Sequence, residues 1–450
     1  MTIFKKFLII SLSAFFIYIG IFLTIYNLKL NHLTLQSEDY LGSATLPFSL
    51  LYEGNFDLNE YYGELTKYYP QPDDASLTPY YLRKNGENYY SIRPIWTSLI
   101  ALPVYIPIRL FNMDVDIEMI RIMSRIGGAF IVALSVGIFY LISCKFLNSE
   151  KSKLFLTAIY AFGTNSLSTN SQGLWQHGTS QLLLSAAILT FLNKNYFLTG
   201  LLLGIATISR PTNLLSVVIL GLYLLFIIYK QKNLSFRNYS PIFYYILGGL
   251  LAITAELILN KLLFGVADNA GYTDQLSGWR NNIFEGFAGL WFSPSKGIIP
   301  NSPILIFIFY GFYKLYKSSK KYDAFLIPSS LIVILHTFIM GWWYSWYGGY
   351  SWGYRMASDV LPFIILLLIP FIKDYFETKR LIFITYTLFL LSVLNHLASF
   401  IFFDGIWHTI YDGKSKYWLW SITNSEIVFD MKRLLYKFGL IKTNPIPFGY

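Results

Sequence analysis

The chain has 450 residues, of which 54% are hydrophobic and 13% are charged, and its mean hydropathy is +0.46. Because soluble proteins carry about 25% charged residues, this composition excludes an ordinary soluble protein. The net charge of +10 is not gathered into a basic cluster on a soluble module, so the chain lacks the signature of a nucleic-acid-binding protein. The single cysteine, Cys144, excludes an internal disulfide.

Apolar runs of about 20 residues recur along the chain, which is the length that a helix needs to cross a hydrocarbon core. The sequence therefore predicts an all-α fold, a polytopic membrane helical bundle with about eleven transmembrane helices. Arg210-Pro211 predicts a break between two of them, because proline removes a backbone donor. We predict helices near residues 7–27, 126–144, 154–172, 179–192, 196–210, 211–229, 242–262, 299–313, 324–341, 360–372 and 381–402.

The first helix follows Lys5-Lys6 and is not followed by a cleavage site of small residues. We therefore expect it to be retained as a membrane helix rather than removed as a signal peptide. It is followed by a long hydrophilic first loop, residues 28–125, which holds twelve of the 25 acidic residues. Within this loop the apolar run 95–111 contains prolines, and it is either an interfacial helix or a further crossing.

The charge distribution favours the interfacial helix. If 95–111 does not cross, the short loops on one side comprise 48 residues that carry 16 of the 35 Lys and Arg residues and only four acids. Because cytoplasmic loops are enriched in basic residues, we predict a cytoplasmic N-terminus in the plasma (inner) membrane. The first loop and the C-terminus then lie on the outer face. Residues 1–402 form one transmembrane domain, and the short tail 403–450 is expected to lie against the outer membrane surface.

An acidic pair, Glu38-Asp39, follows the first helix and precedes Tyr40 and a helix-like stretch, residues 41–52. The plainer interpretation is a solvated acidic pair at a helix exit. Its position at the mouth of a helical bundle also suits a carboxylate that takes a proton from an acceptor hydroxyl or amine. The two carboxylates are candidate neighbours of a divalent metal ion as well, which the sequence leaves open.

Arg93 and His177 are the next candidates. Arg93 precedes Pro94 at the start of the interfacial run, and a guanidinium group binds phosphate oxygens bidentately. The plainer interpretation is an arginine that reaches to the membrane surface. His177 is expected at the outer end of two helices, where it could contact phosphate, bind a metal or transfer a proton; the plainer interpretation is a hydrogen-bonded surface residue.

The segment 342–355 is rich in aromatic residues and glycines. An aromatic belt at the membrane interface explains its rings but not its three glycines or Arg355. Glycine lets the backbone approach a ligand closely, and rings such as that of Trp352 suit a sugar or a prenyl chain. Arg355 is then a second anion-binding residue.

Glu256, Arg210, His336 and His396 fall within or beside predicted membrane helices. A carboxylate inside a membrane is costly, so Glu256 is expected to face the bundle interior, and Arg210 to reach the same cavity. His336 and His396 are expected to be hydrogen-bonded core residues.

In this order, the motifs resemble the GT-C superfamily of integral-membrane glycosyltransferases, and most closely the bacterial relatives of protein O-mannosyltransferases and lipid A aminoarabinose transferases. In that group an acidic motif opens the first outer loop, a glycine turn follows, and an Arg-Pro segment leads into an interfacial helix. The matching segments are Glu38-Asp39-Tyr40, Gly54-Asn55, Ser91-Ile92-Arg93-Pro94, Arg121–Arg125, Phe292–Gly297 with Ser302-Pro303, and Trp346–Arg355. The resemblance covers most of residues 1–372.

The resemblance implies an inverting transfer of a sugar from a polyprenyl-phosphate donor to a lipid, glycan or protein acceptor. It implies that Asp39, with Glu38 beside it, is the general base. Arg93, Arg355 and His177 would stabilise the lipid-phosphate leaving group, and Tyr40, Trp352 and Arg210 would complete the substrate-binding set. No nucleotide is needed, and a divalent metal ion stays open.

Two other functions use the same features. A non-enzymatic carrier or flippase of a lipid-linked or anionic substrate would bind its headgroup with these arginines, but it predicts polar residues along the bundle to the cytoplasmic side. The polar set instead clusters towards the outer face. A polymerase or ligase of the O-antigen type predicts its main loop late in the chain, whereas the longest loop here is the first.

Overall fold

A computed structural model describes residues 2–28, 36–67, 78–230, 239–265, 277–318, 324–412 and 417–446. Helices account for 75% of the structure and strands for 3%, so the predicted all-α class is confirmed. The predicted inner loops 230–241 and 314–323 and the start of the first outer loop lie partly outside the described residues.

The secondary structure consists of twenty α-helices, one hairpin and several short helical turns among the described residues. The α-helices are α1 (Ile3–Asn27), α2 (Leu41–Tyr52), α3 (Tyr62–Thr66), α4 (Trp96–Leu110), α5 (Ile117–Phe146), α6 (Glu150–Phe162), α7 (Asn165–Ser168), α8 (Gln176–Leu192), α9 (Tyr196–Ser209), α10 (Leu214–Lys230), α11 (Ser240–Phe264), α12 (Ile283–Phe292), α13 (Ile298–Asn301), α14 (Ile308–Ser318), α15 (Leu326–Trp342), α16 (Leu361–Leu366), α17 (Ile369–Phe371), α18 (Ile382–Phe402), α19 (Ile406–Tyr411) and α20 (Glu426–Lys437). The strands are β1 (Leu82–Asn85) and β2 (Asn88–Ser91). The 3-10 turns include Glu38–Tyr40, Asn59–Tyr61, Asn170–Gln172, Pro211–Asn213, Pro303–Phe307, Arg355–Val360 and Trp418–Trp420, and Ile372–Phe376 is a π-helix.

Six helical segments of the described chain are long and apolar enough to cross a membrane, which supports a membrane-embedded protein. They are Ile3–Asn27, Ile117–Phe146, Pro211–Lys230, Ser240–Phe264, Arg355–Phe376 and Ile382–Phe402. Four shorter apolar helices are α4, α9, α12 and α15.

Two local predictions are confirmed and two are wrong. The helix-like stretch 41–52 is α2, and α9 ends just before Arg210-Pro211. The single helix expected at 154–172 ends instead at Phe162, because Thr164 caps a new short helix by accepting the Ser166 N–H at 3.2 Å. The single helix expected at 299–313 is interrupted at Pro303, since proline cannot donate to the preceding turn.

A hairpin that the sequence analysis did not predict lies in the first loop. Strands β1 and β2 pair antiparallel with Asn85 opposite Asn88, and Gly86 has a φ of +60° at the first position of the two-residue turn. Type II′ turns favour glycine at that position, so Gly86 was a usable hairpin signal. The Asn85 side chain donates to the Leu263 carbonyl at 2.7 Å, which attaches the hairpin to the end of α11.

The chain forms two compact units, and each is described by itself. One comprises Met1–Phe15, Glu38–Lys145 and Asn170–Ser277, and the other comprises Phe16–Ser37, Phe146–Thr169 and Gly278–Tyr450.

In the first unit, α2 packs against α4, and α4 packs against α8. The Ser98 hydroxyl donates to the Ser43 carbonyl at 2.8 Å, and the Thr179 hydroxyl donates to that of Thr97 at 2.9 Å. Such bonds between helices pair polar groups that would otherwise be costly in a membrane.

The helices α9 and α11 of this unit approach each other closely through glycines. A Cβ atom at Gly248 would overlap the Phe197 carbonyl oxygen, and one at Gly200 would overlap the Tyr245 carbonyl oxygen. Small residues at such positions are typical of helix pairs in membranes, where tight packing replaces the hydrophobic effect.

Glu256 lies in the middle of α11 and is only 8% exposed. Its carboxylate accepts a hydrogen bond from Trp96 Nε1 at 3.2 Å, and Trp96 is the first residue of α4. The prediction that this side chain faces the protein interior is confirmed.

In the second unit, α12 and α15 meet where Gly286 faces Gly341, and α18 supplies the buried His396. The two ring nitrogens of His396 lie 2.8 Å from the hydroxyls of Ser302 and Ser168. This histidine is therefore a hydrogen-bonded core residue, as expected.

Candidate functional site

The acidic pair occupies one 3-10 turn, Glu38–Tyr40, which leads directly into α2. Asp39 Oδ1 accepts a hydrogen bond from Arg93 Nη2 at 2.6 Å and another from the Tyr80 hydroxyl at 3.3 Å. The Arg93 side chain is 7% exposed and that of Asp39 is 23% exposed. The structure thus brings together two residues that the sequence analysis assigned to one site from 54 positions apart.

The hairpin positions Arg93. Strand β2 ends at Ser91, whose hydroxyl accepts the Arg93 N–H at 3.1 Å, and the Ile92 N–H donates to the Tyr81 carbonyl at 3.2 Å. Pro94 then restricts the backbone immediately before α4 begins. The guanidinium group is therefore held between a hairpin and a helix rather than on a free loop.

Glu38 is half-buried beside Arg121. Burial raises its pKa, the Arg121 charge opposes that shift, and the neighbouring Asp39 adds to it. A raised pKa keeps a proton on Glu38 over a wider pH range than is usual for a carboxylate. Asp39 holds the direct contact to a cation.

Tyr40 connects the acidic turn to the start of α5. Its ring packs edge-on against Trp175 at 5.9 Å, and burial raises the pKa of its hydroxyl, although a hydrogen bond with Arg121 opposes the shift. The Arg125 charge also acts on this hydroxyl. α5 begins at Ile117, well before the expected residue 126, and this earlier start places both arginines on a helix beside the acidic turn.

Three guanidinium groups therefore surround the turn that carries two carboxylates. Arg93 contacts Asp39, and Arg121 and Arg125 act on Glu38 or Tyr40. An excess of guanidinium over carboxylate suits an anion with several oxygens, such as a phosphate. Of these three arginines, only Arg93 has a predicted role from the sequence, and the segment Arg121–Arg125 was the signal for the other two.

His177 and Arg210 belong to the same unit as the acidic pair. His177 is buried in the first turn of α8, with 1% of its surface exposed. The plainer interpretation, a hydrogen-bonded surface residue, is therefore wrong. Arg210 is partly exposed between α9 and the turn Pro211–Asn213.

Trp352 and Arg355 lie in the second unit, on a segment whose backbone requires glycine. Gly348, Gly349 and Gly353 all have positive φ, between +59° and +86°, which other residues rarely adopt. The aromatic-belt interpretation left these glycines unexplained, and the turn geometry now accounts for them.

The Trp352 backbone is held by residues from elsewhere in the second unit. Its N–H donates to Gln36 Oε1 at 3.0 Å, and its carbonyl accepts from Asn165 Nδ2 at 3.2 Å and from the Thr169 hydroxyl at 3.0 Å. The ring is 1% exposed. Arg355 is also buried, and its Nη1 lies 3.5 Å from the Gly348 carbonyl oxygen.

A buried charged cluster that the sequence analysis missed lies in the same unit. Lys296, which follows α12, is fully buried, and its Nζ donates to Glu426 Oε2 at 2.7 Å. It also donates to the Ser351 carbonyl and lies 3.2 Å from His408 Nε2. Glu426 and His408 come from the tail, so no sequence spacing linked them to Lys296. The tail is packed into the second unit through these contacts.

The cluster contains one close ion pair and a neutral ring. Burial lowers the pKa of His408, and the Lys296 charge lowers it further. Burial raises the pKa of Glu426, but Lys296 and His408 outweigh burial, so the pKa ends below its usual value. Burial lowers the pKa of Lys296, while Glu426 opposes that shift. Each charge has its partner within the cluster, so neither charge is left buried and uncompensated.

We expect acid to weaken the second unit through His408. Its pKa in the folded protein lies below the ordinary 6.5, so the unfolded chain takes up a proton that the folded chain does not. Stability is therefore present above pH 6.5 and is lost as the pH falls below it. The melting temperature in detergent should fall between about pH 7 and pH 5, and less steeply in His408→Gln.

Comparing the pH dependence of the melting temperature in wild type and His408→Gln isolates the contribution of His408. Burial raises the pKa of the nearby Asp430, and its contribution to stability is lost as the pH rises, which is the opposite direction. The difference between the wild-type and His408→Gln slopes removes this contribution. Equal slopes would contradict the prediction.

A metal ion beside the acidic pair stays a prediction. Across the described ranges, no group of three or more His, Cys, Asp or Glu side chains is placed to hold a metal ion. The immediate neighbours of Glu38 and Asp39 are arginines, whose charge repels a divalent cation.

Comparisons with known proteins do not place the chain in a family. No family model, no curated protein and no solved structure matches it.

Proposed function

We propose that the protein is a membrane glycosyltransferase. It moves a sugar from a polyprenyl-phosphate donor to a lipid, glycan or protein acceptor on the outer face of the plasma (inner) membrane. The observation that carries the proposal is the 2.6 Å contact between Asp39 and Arg93. A proton acceptor beside a phosphate-binding cation supplies the two groups that such a transfer needs.

In the proposed reaction, the oxygen or nitrogen of the acceptor attacks the anomeric carbon of the donor sugar. The bond from that carbon to the phosphate oxygen breaks, and the lipid phosphate leaves with the electron pair. Asp39 takes the proton of the acceptor, and the configuration at the anomeric carbon inverts. Charge develops on the leaving phosphate, and Arg93, the cation in contact with Asp39, stabilises it together with Arg121, which acts on Glu38.

The Asp39–Arg93 ion pair couples donor binding to the basicity of Asp39. A guanidinium group has five N–H donors, so Arg93 is able to bind a phosphate oxygen while it still orients the Asp39 carboxylate. Arrival of the donor phosphate draws the guanidinium charge away from Asp39, and the carboxylate becomes a better proton acceptor. In this proposal Tyr40, His177 and Arg210 are the further donor-binding residues of the first unit. Arg355 and Trp352, in the second unit, keep the substrate-binding role that the sequence predicts for them.

The proposed membrane arrangement has eleven crossings and a cytoplasmic N-terminus. Six of the eleven predicted crossings coincide with the long apolar helices of the structure, and this supports a polytopic protein. The interfacial run 95–111 corresponds to α4, a helix of 15 residues that contains Pro103 and Pro107.

The test is a transfer assay with purified protein in nanodiscs. Radiolabelled polyprenyl-phosphate hexose or pentose is added together with a membrane-lipid extract, and label in any new species is measured. Transfer by the wild type supports the proposal. Donor that is bound and carried across the bilayer but never consumed would instead favour a carrier, and failure to bind the donor would overturn both.

Donor binding should depend on Arg93. We expect Arg93→Gln to weaken binding of the labelled donor by about 10- to 100-fold, because a hydrogen bond to a charged group contributes roughly 1.5–3 kcal/mol. Arg93→Lys should lie between the two, since lysine keeps the charge but loses the bidentate geometry. The control is Arg83→Gln, which removes a guanidinium stacked on Phe264 in the same loop. Equal affinities of Arg93→Gln and Arg83→Gln would contradict the assignment.

A further inference from the structure

The buried lysine of the second unit connects three parts of the chain. Lys296 lies in the turn after α12, Ser351 lies in the glycine segment, and Glu426 begins α20 in the tail. One ammonium group donates to the Ser351 carbonyl and to the Glu426 carboxylate, 55 and 130 positions away. A lysine has three N–H donors on one atom, so it can hold several partners in a fixed arrangement.

From Ser351 the contacts continue towards the proposed donor-binding arginine. The Ser351 hydroxyl donates to the Gly348 carbonyl at 3.0 Å, and the Ser351 N–H donates to the Gly349 carbonyl at 2.8 Å. The same Gly348 carbonyl lies 3.5 Å from Arg355 Nη1. The conformation around Ser351 therefore sets the position of a carbonyl that faces the Arg355 guanidinium.

Stability alone does not explain a buried ion pair here. Two charges removed from water lose their hydration, and pairs of this kind are often replaced by apolar residues without loss of stability. A pair that also donates to a backbone carbonyl has a geometric role that apolar residues cannot reproduce. The glycines on either side of Ser351 have more backbone freedom than other residues, so the conformation of the segment depends on such contacts.

We propose that Lys296 is a positioning residue, which uses the tail carboxylate of Glu426 as its counter-ion to hold segment 348–353 in the conformation that presents Arg355 and Trp352. The tail thereby takes part in holding this segment of the second unit. The expected effect of Lys296 on catalysis rests on the proposed function. The expected effect of Lys296 on the conformation of segment 348–353 is independent of that function.

The experiment compares two double variants of the full-length protein. Lys296→Met with Glu426→Gln removes both charges, so neither is left buried alone. The matched control is Lys314→Met with Asp374→Asn, a lysine–aspartate pair of the same unit at 3.4 Å whose side chains are partly exposed. Lys296→Met by itself leaves the Glu426 carboxylate without its lysine counter-ion. This single variant serves only to measure how far a buried charge without that counter-ion destabilises the protein.

The first readout is hydrogen exchange of the peptides that cover 348–354, measured in nanodiscs. We expect the Lys296 double variant to exchange there at least about tenfold faster than wild type, while peptides of α9 and α11 stay unchanged. The control double variant should exchange as wild type in this segment. Unchanged exchange in the Lys296 double variant would overturn the inference, whatever the activity.

The second readout separates KM from kcat for the labelled donor. We expect the KM of the Lys296 double variant to rise about tenfold while kcat changes much less, because the segment serves donor binding. Lys296→Arg keeps the ion pair and a donor to Ser351, and it should recover most of the affinity. A wild-type protein that transfers no sugar would defeat the proposed function, yet the exchange measurement would still decide the role of Lys296.

Discussion

Asp39→Asn should lower sugar transfer by about 100- to 10,000-fold, the range typical for loss of a general base. The amide has the shape of the carboxylate and its oxygen still accepts from Arg93, so the fold and the donor site are preserved. It cannot take up the proton of the acceptor. We therefore expect donor affinity within a few-fold of wild type, and the measurement is label transfer and donor binding on the same nanodisc preparation.

Two glutamates of the same loop provide the controls for this variant. Glu87 is exposed in the hairpin turn, and Glu87→Gln should transfer as wild type. Glu38→Gln tests the second acid of the pair, and we expect a smaller loss than in Asp39→Asn because Glu38 does not contact Arg93. An active Asp39→Asn together with an inactive Glu38→Gln would assign the base to Glu38 instead.

The second large effect is expected at a helix contact. Gly248→Ala places a methyl group against the Phe197 carbonyl, where the two helices α9 and α11 have no space for it. We expect the free energy of unfolding to fall by about 1–3 kcal/mol, the usual cost of overpacking. The melting temperature in detergent measures it.

The neighbouring glycine is a matched control. A Cβ atom at Gly249 would meet its nearest neighbour, the Gly200 carbonyl oxygen, at 3.6 Å, an ordinary contact. Gly249→Ala should therefore be neutral or stabilising by up to about 1 kcal/mol, because alanine is the better helix former. Equal effects of the two substitutions would mean that the close approach of the helices does not matter for stability.

Helix-level features of the first unit can be predicted from local sequence. The stretch 41–52 is apolar and is bounded by an acidic turn and a glycine, so both of its ends are recognisable. Proline marks the break after Arg210 for the same reason. The helix at 154–172 could not be predicted correctly, because a run of polar residues after Phe162 is buried, and hydropathy does not distinguish a buried polar turn from a continued helix.

The candidate site could be predicted only in part. The pairing of Asp39 with Arg93 follows from motif order, since both come from one loop and are aligned by the hairpin that Gly86 allows. The partners of Lys296 could not be predicted, because Ser351 and Glu426 are distant from it in sequence and no motif spacing relates them. A contact made by folding the chain back over more than a hundred residues leaves no mark in the local pattern.

The distance in sequence between Lys296 and Glu426 also has a consequence for biosynthesis. The ribosome adds about 5–20 residues per second, so the 130 residues between them take roughly 7–26 seconds to make. Throughout that time the Lys296 ammonium group lacks the Glu426 carboxylate with which it pairs in the folded protein. The turn that carries it must stay hydrated while the later membrane helices are being inserted, and the second unit closes around it only once α20 has been made.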